Sequence, residues 1–255
     1  MRLLDVRGLT KKFGGIHAIE EVSFGVERGT IFSIIGPNGA GKTTLFNCLT
    51  GITRPSNGSI HFREKEMSVL TPHRIVEFGI ARTFQNIRLF TGMTVMENVM
   101  VAQHTRVKYG LISSVLRGKG FALKEHSIRE KVFEYLQLVG LEEHTETLAG
   151  NLPYGHQRRL EIARALATEP QIVLLDEPTA GMNPHETTEV MELIRKIREL
   201  GKTVLLIEHD MRLVMGISER IIVLDHGVKI AEGIPQEVRN DPLVIEAYLG
   251  REAVH

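Results

Sequence analysis

An α/β fold built around a phosphate-binding loop is what this sequence predicts, and three observations carry the prediction. Gly36-Pro-Asn-Gly-Ala-Gly-Lys-Thr-Thr44 fits G-x-x-x-x-G-K-[ST]; it follows the apolar run Ile31–Ile35, read as a buried strand, and precedes Leu45–Leu49, read as a helix stopped near Gly51. The aliphatic runs Gln171–Asp176 and Thr203–Ile207 read as two further strands, separated by an amphipathic helix over Glu189–Leu200 that ends at Gly201. Between these two α/β parts, residues 93 to 165 have helical spacing and read as a separate lobe.

The elements follow in order. Residues 1–35 alternate and turn like strands: Leu3–Val6, a Lys11-Lys-Phe-Gly-Gly15 stretch, Ile19–Phe24, then a turn at Glu27–Thr30. Arg54-Pro-Ser-Asn-Gly58 is a turn and Ser59–Phe62 a strand. Thr71 caps a short helix with Pro72 at its first position, and Ile80–Asn86 is a strand leading into a polar loop. In the lobe, Val95–Val101 is helical, Gly110 to Gly120 is a mixed apolar and basic connection, and Ser127-Ile-Arg-Glu130 is a capping box opening a helix that stops at Gly140. Met93, Met96 and Met100 read as core filler rather than binding surface, the second reading such methionines offer. Arg220–Gly227 with Val228–Ala231 reads as a hairpin, and Asp241-Pro242 caps a last helix ending near Gly250.

Composition narrows the function. Lys plus Arg and Asp plus Glu number 31 each, so no nucleic-acid polyanion is expected as partner. The single cysteine, Cys48, excludes an intramolecular disulfide and every multi-cysteine metal site, and reads as a small buried apolar residue. No signal-peptide run and no stretch of about 20 apolar residues is present, which predicts a soluble cytoplasmic chain whose membrane role comes through partners.

The chemistry starts at the glycine-rich loop. Gly36, Gly39 and Gly41 remove side chains, so successive backbone N–H groups can converge on phosphate oxygens. The helix N-terminus adds positive potential, Lys42 reaches the β- and γ-phosphates, and the Thr43 hydroxyl faces Mg²⁺. A structural glycine turn would not need this lysine or these flanks. Asp176-Glu177 closes an aliphatic strand: in a phosphate-loop protein the first acid holds Mg²⁺ through water and the second polarises the attacking water. His209 lies just past the next strand end, where it can meet a γ-phosphate or water. Gln85 reads either as a loop amide or as a Mg²⁺/water ligand sensing the γ-phosphate. Phe13 reads either as a strand-edge aromatic or as a flat platform for a base.

Five motifs in one order then resemble a family. Gly36–Thr44, Gln85, Leu152-Pro-Tyr-Gly-His-Gln157 before Arg159–Leu166, Asp176-Glu177-Pro178 and His209 resemble the nucleotide-binding subunits of ABC transporters over essentially the whole chain. Gly79-Ile-Ala-Arg-Thr-Phe-Gln-Asn86, the long lobe, Asp176–Pro184, Glu208-His-Asp-Met211 and Ala247-Tyr-Leu-Gly250 look most like the larger ATPase of branched-chain amino-acid importers.

The resemblance implies a P-loop NTPase with a RecA-like core, an antiparallel β-subdomain and an inserted helical subdomain, divided as residues 1–92, 93–165 and 166–255. It implies that Phe13, Gly36, Pro37, Asn38, Gly39, Ala40, Gly41, Lys42, Thr43, Thr44, Gln85 and Asp176 bind ATP, that Thr43, Gln85 and Asp176 serve Mg²⁺, and that Glu177 and His209 are catalytic. Pro153, Tyr154, Gly155 and His156 then form the signature that covers a partner's ATP. Two departures stand out: Pro153 replaces the family's serine, and Ala180-Gly-Met-Asn183 ends in an amide where a carboxylate is usual. The implied partners are a second ABC ATPase subunit, integral-membrane permeases and, indirectly, a solute-binding protein, with the chain peripheral on the cytoplasmic face of the membrane. A close relative serving urea, short amides or lipid export is the alternative. A soluble ABC ATPase of ribosomes or DNA repair is disfavoured by the neutral charge and the single cassette.

Overall fold

The computed structural model describes residues 2–103 and 119–252, with no side chain described for 119–125 or beyond residue 248. Residues 104–118, most of the expected basic connection, lie outside the described residues. The chain forms two compact units, Met1–Arg82 with Gln171–His255, and Thr83–Pro170.

The first unit holds two sheets. Strands β1 (Arg2–Phe13), β2 (Ile16–Glu27), β4 (Asn57–Phe62) and β5 (Lys65–Glu66) form an antiparallel sheet in the order β2-β1-β4-β5. The second sheet runs β10-β9-β3-β8-β7-β6, from β10 (Val228–Gly233), β9 (Arg220–Asp225), β3 (Ile31–Ile35), β8 (Thr203–Ile207), β7 (Ile172–Asp176) and β6 (Ile80–Arg82). All its pairings are parallel except β10 on β9. Every residue of β3, β7 and β8 is buried, which is why these strands are written almost wholly in aliphatics rather than in alternation. Leu4, Val6 and Phe24 of one sheet and Phe32, Ile34 and Leu205 of the other belong to one core cluster, and the Phe24 and Phe32 rings stack at 5.5 Å.

Helices α1 (Lys42–Leu49) and α2 (Pro72–Phe78) follow β3 and β5. Thr71 is the N-cap residue of α2 with Pro72 behind it, but its hydroxyl bonds the His73 ring instead of the helix backbone. In the second unit, α3 (Val95–Gln103), α4 (Lys119–Leu138) and α5 (Tyr154–Ala167) pack pairwise, burying Val99, Val132, Leu136, Leu160 and Ala163. Ser127 falls inside α4, so the Ser-x-x-Glu pattern there is not a cap; the good helix formers ahead of it let the helix begin at Lys119. Back in the first unit, α6 (Pro184–Glu199) starts five residues before the expected Glu189, because Asn183 and Glu186 form a capping box around Pro184. Short helices α7 (Met211–Ile217) and α8 (Pro235–Arg239) and the terminal α9 (Pro242–Glu252) complete the fold.

Candidate active site

The glycine-rich loop joins β3 to α1 and is wedged between two backbones. A side chain at Gly36 (φ 149°) would meet the Leu224 carbonyl oxygen at 2.1 Å, and one at Gly41 (φ 98°) the Ala18 carbonyl oxygen at 2.4 Å. Both positions therefore require glycine. The turn of the β9–β10 hairpin clasps the same loop: the Gly227 N–H donates to the Ala40 carbonyl at 3.1 Å, and the Glu20 N–H donates to the Gly227 carbonyl at 2.8 Å. Pro37 and Ala40 are buried, whereas Asn38, Gly39 and Thr43 are exposed and Thr44 half-buried. Lys42 folds its ammonium back into the loop and donates to the Gly36 carbonyl at 2.6 Å and the Pro37 carbonyl at 2.9 Å.

At the end of β7, Asp176 is buried and its Oδ2 accepts from Arg82 Nη2 at 2.7 Å. Glu177 follows in the left-handed region with φ 47°, a strained backbone for a residue with a side chain. Its N–H donates to the Ile207 carbonyl of β8 at 2.9 Å, fixing the strained residue beside the next strand end. That strand leads into Glu208 and His209, and His209 Nδ1 lies 3.9 Å from Glu177 Oε2 and 3.7 Å from Glu208 Oε2. Phe13, at the end of β1, is half exposed with Lys11 Nζ 4.7 Å from its ring centroid.

The remaining expected residues belong to the second unit. Gln85 follows β6 in a loop braced by α5. The wholly buried Arg158 donates from Nη1 to the Phe84 carbonyl at 2.5 Å and from Nη2 to the Gln85 carbonyl at 2.6 Å. Arg158 also pairs with Glu161, whose Oε1 accepts the Phe84 N–H at 3.3 Å. Burial pushes the Glu161 carboxyl above its ordinary value, although Arg158 and the Phe84 and Arg88 amides pull the other way. Further along, the buried Asn98 accepts the Phe90 N–H and donates to the Phe90, Met93 and Thr94 carbonyls. Pro153 stands at the N-cap of α5 with no side-chain cap bond. Tyr154 is exposed, Gly155 buried, and the His156 ring lies 5.1 Å from that of His144.

Three polar residues that sequence reasoning did not single out hold this machinery. Arg82 and Arg158 are two. The third is Glu208, fully buried, which accepts the Thr179 N–H at 3.1 Å, the Thr179 hydroxyl at 2.5 Å and the His209 N–H at 3.0 Å. It thereby ties the segment after Glu177 to the segment bearing His209. The advance signals for it were a carboxylate directly after the aliphatic run Val204–Ile207 and its place at the head of the Glu208-His-Asp-Met211 stretch.

The donor chemistry suits a nucleotide and its cation. The loop offers backbone N–H groups, an ammonium and a helix N-terminus to phosphate oxygens. Thr43 and Asp176 offer hard oxygen ligands of the kind Mg²⁺ takes. Among the described residues no group of three or more His, Cys, Asp or Glu side chains could hold a metal.

A family model described as ABC transporter matches residues 19–180, and a second, described as branched-chain amino acid ATP-binding cassette transporter, matches residues 228–254. The chain is 51% identical to the high-affinity branched-chain amino acid transport ATP-binding protein LivG of Salmonella typhimurium, over 97% of this chain and 98% of that protein. It is 48% identical to the protein BraF of Pseudomonas aeruginosa, which bears the same description, over the same shares of the two chains. Among solved structures, an ATP-binding cassette of an ABC transporter in its ADP conformation superimposes with a TM-score of 0.85 at 33% identity, covering 98% of this chain and 99% of that one.

Proposed function

The chain belongs to the ABC transporter ATP-binding proteins, in their branched-chain amino-acid group, and from that premise we propose that it is the ATP-hydrolysing motor of an importer for branched-chain amino acids. One observation carries the catalytic part. A buried aspartate ends β7 and a strained glutamate follows it directly, in the same compact unit as the phosphate loop, with a histidine 3.9 Å from the glutamate.

In this reading the loop from Gly36 to Thr44 holds the phosphates and Lys42 leaves its two carbonyls for the β- and γ-oxygens. Phe13 stacks on the adenine. Thr43 and Asp176, with Gln85 as a further ligand, would hold Mg²⁺, whose charge would offset that of the phosphate oxygens. The Glu177 carboxylate takes the proton of a water whose oxygen attacks the γ-phosphorus; the bond to the β–γ bridging oxygen breaks, giving ADP and phosphate. His209 donates to the γ-phosphate or the water. Pro153, Tyr154, Gly155 and His156 meet the nucleotide of a second cassette. ATP then favours the closed pair because it contacts both subunits only there. The loop from Gln85 to Phe90, braced at both ends and exposing Phe90, receives a permease segment on the cytoplasmic face of the membrane. No helix among the described residues is long and apolar enough to cross a membrane.

The cargo is tested by uptake. Cells lacking this chain should lose high-affinity uptake of labelled leucine and regain it when the chain is restored. Loss of urea uptake with leucine uptake intact would assign the motor to the alternative cargo.

A further inference from the structure

We infer that Arg82 is a positioning residue for Asp176, locking the cation-binding carboxylate to the helix that follows the phosphate loop. The inference rests on the cation role proposed for Asp176 and adds a residue to it. Arg82 ends β6, whose parallel register on β7 pairs Arg82 with Leu174. Side chains repeat every second residue along a strand, so Arg82 lies on the face that also carries Asp176.

Its guanidinium divides between two anchors. Nη2 donates to Asp176 Oδ2 at 2.7 Å, while Nη1 donates to Asn47 Oδ1 at 2.7 Å and Thr50 Oγ1 at 3.2 Å. Its Cζ lies 5.4 Å from the Phe46 ring centroid, and the Thr50 hydroxyl is itself fixed to the Phe46 carbonyl at 2.7 Å. Both charged groups are nearly closed to solvent, with side chains 6% and 3% exposed.

A buried ion pair is a poor way to gain stability, because desolvation cancels most of the attraction. It is a good way to fix geometry. Phe46 and Asn47 lie in the last turn of α1 and Thr50 is its C-cap, and the first turn of that short helix carries Lys42 and Thr43. Arg82 thus joins the two carriers of the proposed cation ligands, Thr43 at one end of α1 and Asp176 at the end of β7. A planar fork can hold both anchors at once; a lysine ammonium keeps the charge but not the fork.

The test measures binding, not turnover. The affinity of the purified chain for a non-hydrolysable ATP analogue is followed by calorimetry in EDTA and at rising Mg²⁺. Arg82→Lys should leave affinity in EDTA within about twofold yet raise the Mg²⁺ concentration at half effect about tenfold or more, since one charge-assisted bond geometry is lost. Asn47→Leu, which spares the Arg82–Asp176 pair, keeps the question open to test if Arg82→Lys folds poorly, and should move the same midpoint about threefold. Asp176→Asn is the control and should remove the Mg²⁺ effect. A normal Mg²⁺ curve in Asp176→Asn would overturn the cation reading and this inference with it. A normal curve in Arg82→Lys and Asn47→Leu, with Asp176→Asn shifted, would overturn the inference alone and leave Arg82 a purely structural residue.

Discussion

Single polar side chains in dry surroundings decide where the reactive groups stand. Glu208 is the clearest case: a fully buried carboxylate that spends both oxygens on the backbone and hydroxyl of neighbouring loops. Removing one of its donors should cost more than a typical surface change, because a hydrogen bond to a charged buried group is worth about 1.5–3 kcal/mol. Thr179→Val deletes the hydroxyl while keeping the shape, so urea unfolding should show a loss of about that size. Hydrolysis should fall as well, since Glu208 also positions the His209 backbone. Unchanged stability would mean that the Thr179 hydroxyl contributes nothing beyond the N–H bond beside it.

At the scale of elements, helix ends and hairpins set the tolerances. Helix α5 begins at Pro153, which provides neither a hydroxyl nor an N–H. A serine there would cap the helix, a change worth about 0.5–2 kcal/mol, and would restore the hydroxyl that the family directs at the partner's γ-phosphate. Pro153→Ser should therefore raise the melting temperature of the isolated chain and the ATP turnover of the assembled complex, with ATP affinity within about threefold. Higher stability with unchanged turnover would show that Tyr154 or His156 already supplies the donor. The β9–β10 hairpin, whose turn clasps the phosphate loop, is tied by Glu232 to Arg220 at 3.0 Å and Lys229 at 2.7 Å. Burial alone would raise the Glu232 carboxyl, but Lys229 and Arg220 outweigh it and hold the group below the ordinary glutamate value of 4.5. A depressed carboxylate stabilises the fold above its unfolded value and loses that contribution as pH falls through the folded one. Glu232→Gln should accordingly lower stability by about 0.2–1 kcal/mol at pH 7, with the gap closing below pH ~4.5. A gap independent of pH would point to packing instead of charge.

Across the whole molecule, what could be read in the sequence was what is local in the chain. The aliphatic strand Thr203–Ile207 was delimited to the residue, and the glycine loop and the Asp176-Glu177 strand end announced themselves by composition over a few positions. Helix α7 escaped because seven residues are too few for a periodic signal, although Asp210 caps it. The Ser127 pattern misled because a four-residue cap motif carries no information on whether the preceding turn is already helical. Arg82, Arg158 and Glu208 were passed over for a different reason: their partners Asp176, Gln85 and Thr179 lie 94, 73 and 29 residues away in sequence, and nothing in a polar residue's neighbours says that it points inward. Those residues link motifs that the sequence shows only one at a time. The claim on which the rest depends is that these motifs form a hydrolytic centre in which Glu177 is the base. It is tested most directly by comparing ATP binding and hydrolysis in Glu177→Gln. The expected result is ATP affinity within about threefold of the unaltered chain and hydrolysis reduced about a hundredfold or more. Hydrolysis above roughly a tenth of the original rate would contradict it and move the base elsewhere.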